Sequence, residues 1–238
     1  MTGSTQAQII EHSNSNALAI AVARQLAKAT VDGLNRHRHA TLALAGGGTP
    51  MPIYRLLSHL ELDWPRVRAL PGDERWVAAD HPACNFSAMA ACFSRAPLEL
   101  LPLVPAQPGP APGLEQAQDS LSKVAGDFDA VLLGMGGDGH FASLFPGSSA
   151  LAVGLDPKAD ADVLIDTPDP MPPDAPFPRI SLTLSRLMKT RCLLLAITGQ
   201  TKREVLEQAL SGERQTVALP IAALLAAAGD SLTIHWSP

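Results

Sequence analysis

The sequence predicts an α/β fold: a mainly parallel sheet covered by helices on both faces, in three α/β/α layers. Two observations carry this. Short apolar runs of strand length, at residues 41–45, 67–70, 128–133 and 192–198, alternate with longer stretches whose apolar residues recur at helical spacing. Runs that are apolar almost throughout suit strands buried on both faces, as parallel sheets require. The second observation is a shared layout. Each of these four runs leads into glycine or polar groups: AGGGTP, GDER, GMGGDGH and TGQTK. In a parallel sheet such loops gather at the carboxyl ends of the strands, where ligands bind.

Taken in order, residues 8–12 form a short first strand. Ser13 or Asn14 then offers an N-cap for a helix to about residue 35. Leu18, Val22, Leu26 and Ala29 share one face of it, and Gly33 weakens its end. Gly46, Gly47 and Gly48 break the strand at 41–45. Thr49 as N-cap and Pro50 at N1 start a helix to about residue 60. The strand at 67–70 ends at Pro71-Gly72 and opens into a loop, Asp73-Glu74-Arg75-Trp76. Residues 85–93 read as helix, and 102–112, with five prolines, as a connection. A polar helix at 113–124 precedes the strand at 128–133.

Beyond Gly147 a strand is expected at 163–165 and a proline-dense loop at 168–178. Ile180, Leu182 and Leu184 alternate with polar residues, which predicts a half-buried strand over 179–184. The buried strand at 192–198 is followed by helices at 201–210 and 221–228 and a last strand at 231–236. Strands lie on both sides of each proline-rich loop, so residues 1–238 are expected to form a single domain around one Rossmann-like sheet.

Composition narrows the partners. The chain has 238 residues, 46% hydrophobic and 17% charged, with a formal net charge of −5. That balance argues against nucleic acid or an anionic membrane, which need a basic face. A small anionic ligand needs only two or three local cations. Cys84, Cys92 and Cys192 are too few and scattered for a disulfide framework or a zinc site, and read as packing residues in a reducing compartment. His12, His37, His39, His59, His81 and His235 show no metal-ligand spacing, and no metal is expected. With no secretory pattern and no apolar run near the ~20 residues of a membrane span, the expectation is a cytoplasmic protein.

Four constellations carry chemistry. Glycines followed by Thr49 at a helix start expose N–H groups to an anion. A tight turn without a ligand reads the same way; Thr-Pro after the last glycine excludes the Walker A pattern. Lys202 falls in a first helical turn, a poor place for a cation unless an anion binds there; otherwise it is a solvated surface lysine. Asp73 and Arg75 can grip a polar, oxyanionic substrate or form a surface ion pair.

The fourth constellation is 130–148, AVLLGMGGDGHFASLFPGS. Gly134, Gly136 and Gly139 match the dinucleotide fingerprint, but Pro146-Gly147 cuts short the helix that fingerprint needs, so no nicotinamide cofactor is expected. Asp138 and His140 are its only titratable groups. A histidine is the side chain best suited to accept a proton near neutral pH, or it can simply cap the turn.

These four segments, in this order, resemble the 6-phosphogluconolactonase family, within the wider glucosamine-6-phosphate isomerase/deaminase superfamily, from residue 42 to about 206. The most specific pieces are Asp73-Glu74-Arg75 and Asp138-Gly139-His140 followed by ASLFPG. The resemblance implies hydrolysis of 6-phosphogluconolactone to 6-phosphogluconate in the oxidative pentose phosphate pathway, without metal or organic cofactor. It implies that His140 is the general base and that Asp138 orients it or helps hold the sugar ring. Gly47, Gly48, Thr49, Arg179 and Lys202 would hold the phosphate, and Asp73 and Arg75 the ring and carbonyl end. The partner expected is this small sugar-phosphate lactone, bound by a monomer or weak homodimer.

Some residues depart from the family pattern. Gly48 stands where serine is frequent, and Gly137 and Phe141 replace polar residues, with Phe141 expected to narrow the pocket. Two other activities share features. A glucosamine-6-phosphate deaminase carries an acid after the histidine, where this chain has Ser143-Leu144-Phe145-Pro146, and tyrosine in place of Arg75. A non-catalytic sugar-phosphate sensor would lack the histidine or add a DNA-binding segment.

Overall fold

The computed structural model describes residues 7–173, 175–211 and 219–238. Its first half runs β1 (Gln8–Glu11), α1 (Ser15–His37), β2 (Ala40–Leu44), α2 (Pro50–Ser58), β3 (Val67–Pro71), β4 (Asp73–Arg75), α3 (Asn85–Cys92) and β5 (Glu99–Leu100). The second half continues with α4 (Glu115–Ser122), β6 (Ala130–Leu133), α5 (Leu151–Gly154), β7 (Val163–Asp166) and β8 (Arg179–Leu182). It closes with α6 (Leu184–Met188), β9 (Leu193–Thr198), α7 (Gln200–Ser211), α8 (Pro220–Ala228) and β10 (Leu232–Ser237).

The central sheet has the order β1-β10-β9-β6-β2-β3-β5, every neighbouring pair parallel. Alternate residues of its inner strands feed two cores. Leu42, Leu44, Ala130, Leu132 and Leu194 pack under α1–α3. Ala43, Val131, Leu133, Leu195 and Ile197 pack with residues of α4, α7 and α8 on the other face. That period of two is why these strands are apolar almost throughout, Thr41 and Thr198 apart: neither face meets water. From β2 the chain steps outward through β3 to β5, then crosses back to β6 on the other side of β2. The loops after β2 and β6 therefore diverge, leaving a crevice at the carboxyl edge.

Asn14, with its extended backbone, caps α1 by accepting the Ala17 N–H at 2.9 Å. The helix continues two residues past the expected end, and Gly33 lies buried within it instead of weakening it. A Cβ on Gly33 would sit 2.5 Å from the Asp129 carboxyl carbon, whose Oδ2 accepts the Thr41 N–H. Alanine in an ordinary helix interior stabilises relative to glycine; here the clash should reverse that sign. Gly33→Ala is expected to destabilise by about 1–3 kcal/mol, read as a lower denaturant midpoint. A raised midpoint would mean Asp129 yields freely.

A second sheet was not foreseen. Asp73–Arg75, expected as a loop, is a strand, and β4, β8 and β7 form an antiparallel three-stranded sheet. Three residues are too few to show periodicity, and the partner strand lies about a hundred residues away. The strand expected over 179–184 stops at Leu182 because Thr183 caps α6, its Oγ1 accepting the Arg186 N–H. β5 and α5 are also too short to leave a sequence pattern. Among the described residues, no helix is long and apolar enough to cross a membrane.

Candidate active site

The four expected loops meet around one cleft of about 300 Å³ at the carboxyl edge of β2, β3, β6 and β9. Its lining includes Gly47, Gly48, Thr49, Asp73, Arg75, His140, Arg179 and Lys202. Each reaches it for a local reason. Gly47 takes φ +95°, a left-handed turn that L side chains strain to adopt, and this brings the chain from β2 into α2. Gly48 borders open space, so the missing serine side chain leaves room and not strain.

Thr49 does not serve as the expected cap. Its backbone is already helical and its side chain makes no capping bond. Its hydroxyl instead lies 3.1 Å from that of Thr198, tying the loop after β2 to the loop after β9. Gly199, at φ +92°, then turns the chain into α7, placing half-buried Lys202 in the first helical turn at the cleft. Lys202 makes no hydrogen bond or ion pair with the described residues. Burial pulls its pKa below the ordinary lysine value, partly offset by the Asp138 charge.

After β6, Gly136 allows the turn to close on itself. A Cβ there would lie 2.2 Å from His140 Cε1 and Nδ1. Asp138 Oδ1 is 2.5 Å from His140 Nδ1 and also accepts the His140 backbone N–H at 3.2 Å. Asp138 stands behind the histidine, outside the cleft lining. Burial raises its carboxyl pKa, but the hydrogen bond and charge of His140 outweigh that, and the net shift is downward. The bond at Nδ1 leaves Nε2 as the free nitrogen of a ring that lines the cleft. The Phe145 ring packs on the imidazole with centroids 4.3 Å apart.

Phe141, expected to narrow the pocket, does not line it: it is fully buried in the apolar core. The sequence could not separate the two phenylalanines, because Ala142 at φ 47° turns the chain between them. Phe145 is the one at the cleft.

Arg75 and Arg179 face each other as register partners across β4 and β8. Each holds one backbone carbonyl, Ala83 at 2.6 Å and Ala175 at 2.7 Å. Each also keeps a buried Nε without a partner among the described residues. Burial lowers the Arg179 pKa, Asp73 raises it, and Arg75 lowers it again. Two like charges directly opposite on a ladder are costly unless an anion lies between them. Asp73 is not hydrogen-bonded to His140; its Oδ2 accepts the Ser143 hydroxyl at 2.5 Å, and the Ser143 N–H donates to Ser181 Oγ. Glu74 accepts the N–H groups of Arg75, Asn85 and Phe86, capping α3 from below the site.

Ser143, Phe145 and Asn85 went unassigned in the sequence reading, since a serine, a phenylalanine and an asparagine carry no spacing signal of their own. Only Ser143 and Phe145 had a pointer, their closeness to His140.

The profile of the family described as glucosamine-6-phosphate isomerases/6-phosphogluconolactonase matches residues 13–236. The chain belongs to this family. It is similar to the 6-phosphogluconolactonase of Rhizobium meliloti, 34% identical over 229 residues that cover 94% of this chain and 96% of the relative. That of Caulobacter vibrioides is also 34% identical, over 91% of both chains. Among solved structures, a 6-phosphogluconolactonase from Shewanella baltica superposes with a TM-score of 0.88 at 31% identity, over 99% of both chains. A monomeric glucosamine-6-phosphate deaminase shares the fold at 23% identity and a TM-score of 0.75, over 97% of both chains. Family and fold alone therefore span two chemistries, and the site residues must separate them.

Proposed function

We propose that the protein hydrolyses 6-phosphogluconolactone to 6-phosphogluconate, the second step of the oxidative pentose phosphate pathway. The observation that carries this is the His140–Asp138 pair at the wall of a cleft that also holds Arg75, Arg179 and Lys202. A base and an anion site in one crevice suit a phosphorylated substrate with a carbonyl to be attacked.

In this reading the Gly47–Thr49 loop, Lys202 and Arg179 hold the phosphate and thereby fix the ring. His140 Nε2 takes a proton from water as its oxygen adds to the lactone carbonyl. Asp138, accepting from Nδ1–H, selects the tautomer with Nε2 free and stabilises the imidazolium. The Arg75 guanidinium meets the developing oxyanion. When the ring C–O bond breaks, the imidazolium returns the proton to the departing ring oxygen, which becomes a hydroxyl. The new acid ionises, and no other reactant is needed.

The deaminase alternative needs an acid after the histidine. Ser143 occupies that segment, is fully buried, and is spent on Asp73. Purified protein should consume freshly generated 6-phosphogluconolactone above the buffer rate. No acceleration, or release of ammonia from glucosamine 6-phosphate, would sink this reading.

Lys202→Ala should raise KM roughly 10- to 100-fold with little change in kcat, as expected for a lost charge-assisted bond to phosphate. Because burial depresses its pKa, Lys202 loses its charge at a lower pH than an exposed lysine. KM of the unaltered protein should therefore climb on the alkaline side, and Lys202→Arg should move that climb to higher pH. A pure kcat loss would place Lys202 outside the phosphate site.

A further inference from the structure

Asn85 is 97% buried by its 3% exposure, yet it lines the cleft. Its orientation is fixed from three sides. The backbone N–H donates to Glu74 Oε1 at 2.8 Å, at the start of α3. The side-chain Nδ2 donates to the Asp73 carbonyl at 2.9 Å. A carbonyl can only accept, so the amide end that meets it must be the NH2 group. The third side is Gly46, where a Cβ would fall 2.1 Å from Oδ1 and 2.4 Å from Cγ; glycine is what lets the carboxamide lie there.

With Nδ2 committed, Oδ1 is left without a donor among the described residues. The oxygen faces the cleft, where water or a ligand can donate to it; a ligand that displaces the water without donating leaves it unpaired. The chemistry of the partner follows. The phosphate oxygens, the lactone carbonyl and the ring oxygen of such a substrate are acceptors; only its hydroxyl groups can donate. Asn85 also sits between Gly46, which opens the loop assigned to the phosphate, and the backbone of Asp73, assigned to the ring and carbonyl end; in the lactonase reading the middle of the substrate would lie beside it.

We infer that Asn85 is a specificity-determining residue of this cleft, its Oδ1 accepting a hydrogen bond from one ring hydroxyl of the substrate. This rests on the lactonase reading above and goes beyond it by naming which part of the sugar is read. The contact makes the site favour a polyhydroxylated ring over a deoxygenated one of the same charge and size. A site built to receive a hydroxyl rejects the analogue lacking it, because its own polar group is then left unpaired.

The test is a set of 6-phosphorylated lactones, each lacking one ring hydroxyl, assayed with the unaltered protein and with Asn85→Ala. One analogue should cost the unaltered protein roughly 10-fold in kcat/KM, the scale of one buried neutral hydrogen bond. Asn85→Ala should lose a similar factor on the full substrate and nothing further on that analogue. On the other analogues the two losses should add. Asn85→Ser, too short to place the oxygen, gives the same comparison if the alanine variant fails to fold.

An equal loss for Asn85→Ala on every analogue would mean a structural role and overturn the inference. So would an unaltered protein that hydrolyses all analogues at one rate. No hydrolysis of the full lactone by the unaltered protein would instead be the failure of the lactonase reading itself.

Discussion

His140→Ala is expected to lower kcat by about 10²–10⁴-fold while binding of 6-phosphogluconate stays close to that of the unaltered protein. The split follows from geometry. His140 presents to the cleft a nitrogen with no partner among the described residues, while its other nitrogen is held by Asp138. The groups assigned to the phosphate lie on other loops, after β2 and β9 and on β8. Removing the imidazole should thus delete a proton acceptor and little ground-state binding. Asp138→Asn should fall between, because it keeps the shape of the turn and weakens the hold on Nδ1. Single-turnover rates and product titrations check both. Activity in His140→Ala equal to the unaltered protein would take the histidine out of the mechanism.

Gly136→Ala is expected to produce the second-largest loss, on the order of 10²-fold in kcat. The methyl group would enter the space of the His140 ring, 2.2 Å from two of its atoms and 2.6 Å from Asp138 Oδ1. The pair must shift by an ångström or more, enough to misdirect Nε2. The turn itself resists: the Gly136 N–H donates to the His140 carbonyl at 2.8 Å. KM should change little, since the cations are elsewhere. Gly137→Ala is the matched control, because a Cβ there meets nothing within 4 Å. It should retain near-normal activity; if both variants lose it equally, loop stiffness and not the clash is responsible.

The same turn shows where sequence reasoning stops. Gly134, Gly136 and Gly139 matched a dinucleotide pattern in spacing, and Pro146-Gly147 already argued against the long helix such a site needs. The structure supplies another reason for one glycine: Gly136 clears room for the His140 and Asp138 side chains of its own loop. Lys202 was legible because a lysine in the first turn of a helix is a local misfit that asks for an anion. Arg179 was harder to place, since its alternating strand reads the same whether it belongs to the main sheet or to the small antiparallel one. Asn85 carried no signal, because its role depends on Gly46 and Asp73, which other elements bring to it.

The sequence alone determined the layered α/β architecture, the strands that build its center and the four loops where chemistry would lie. Those features are local: strand-length apolar runs, helix caps and glycine turns are written in contiguous residues, and parallel order then sends the loops to one edge. Tertiary structure decided what pairs with what across that edge. It placed β4 against β8, so that Arg75 faces Arg179. It gave Asp73 of β4 to Ser143, which leaves His140 to its chain neighbour Asp138, and it sent Phe141 into the core and Phe145 to the cleft. Contacts of this kind depend on distances between residues far apart in the chain, and no periodicity or spacing within one segment encodes them.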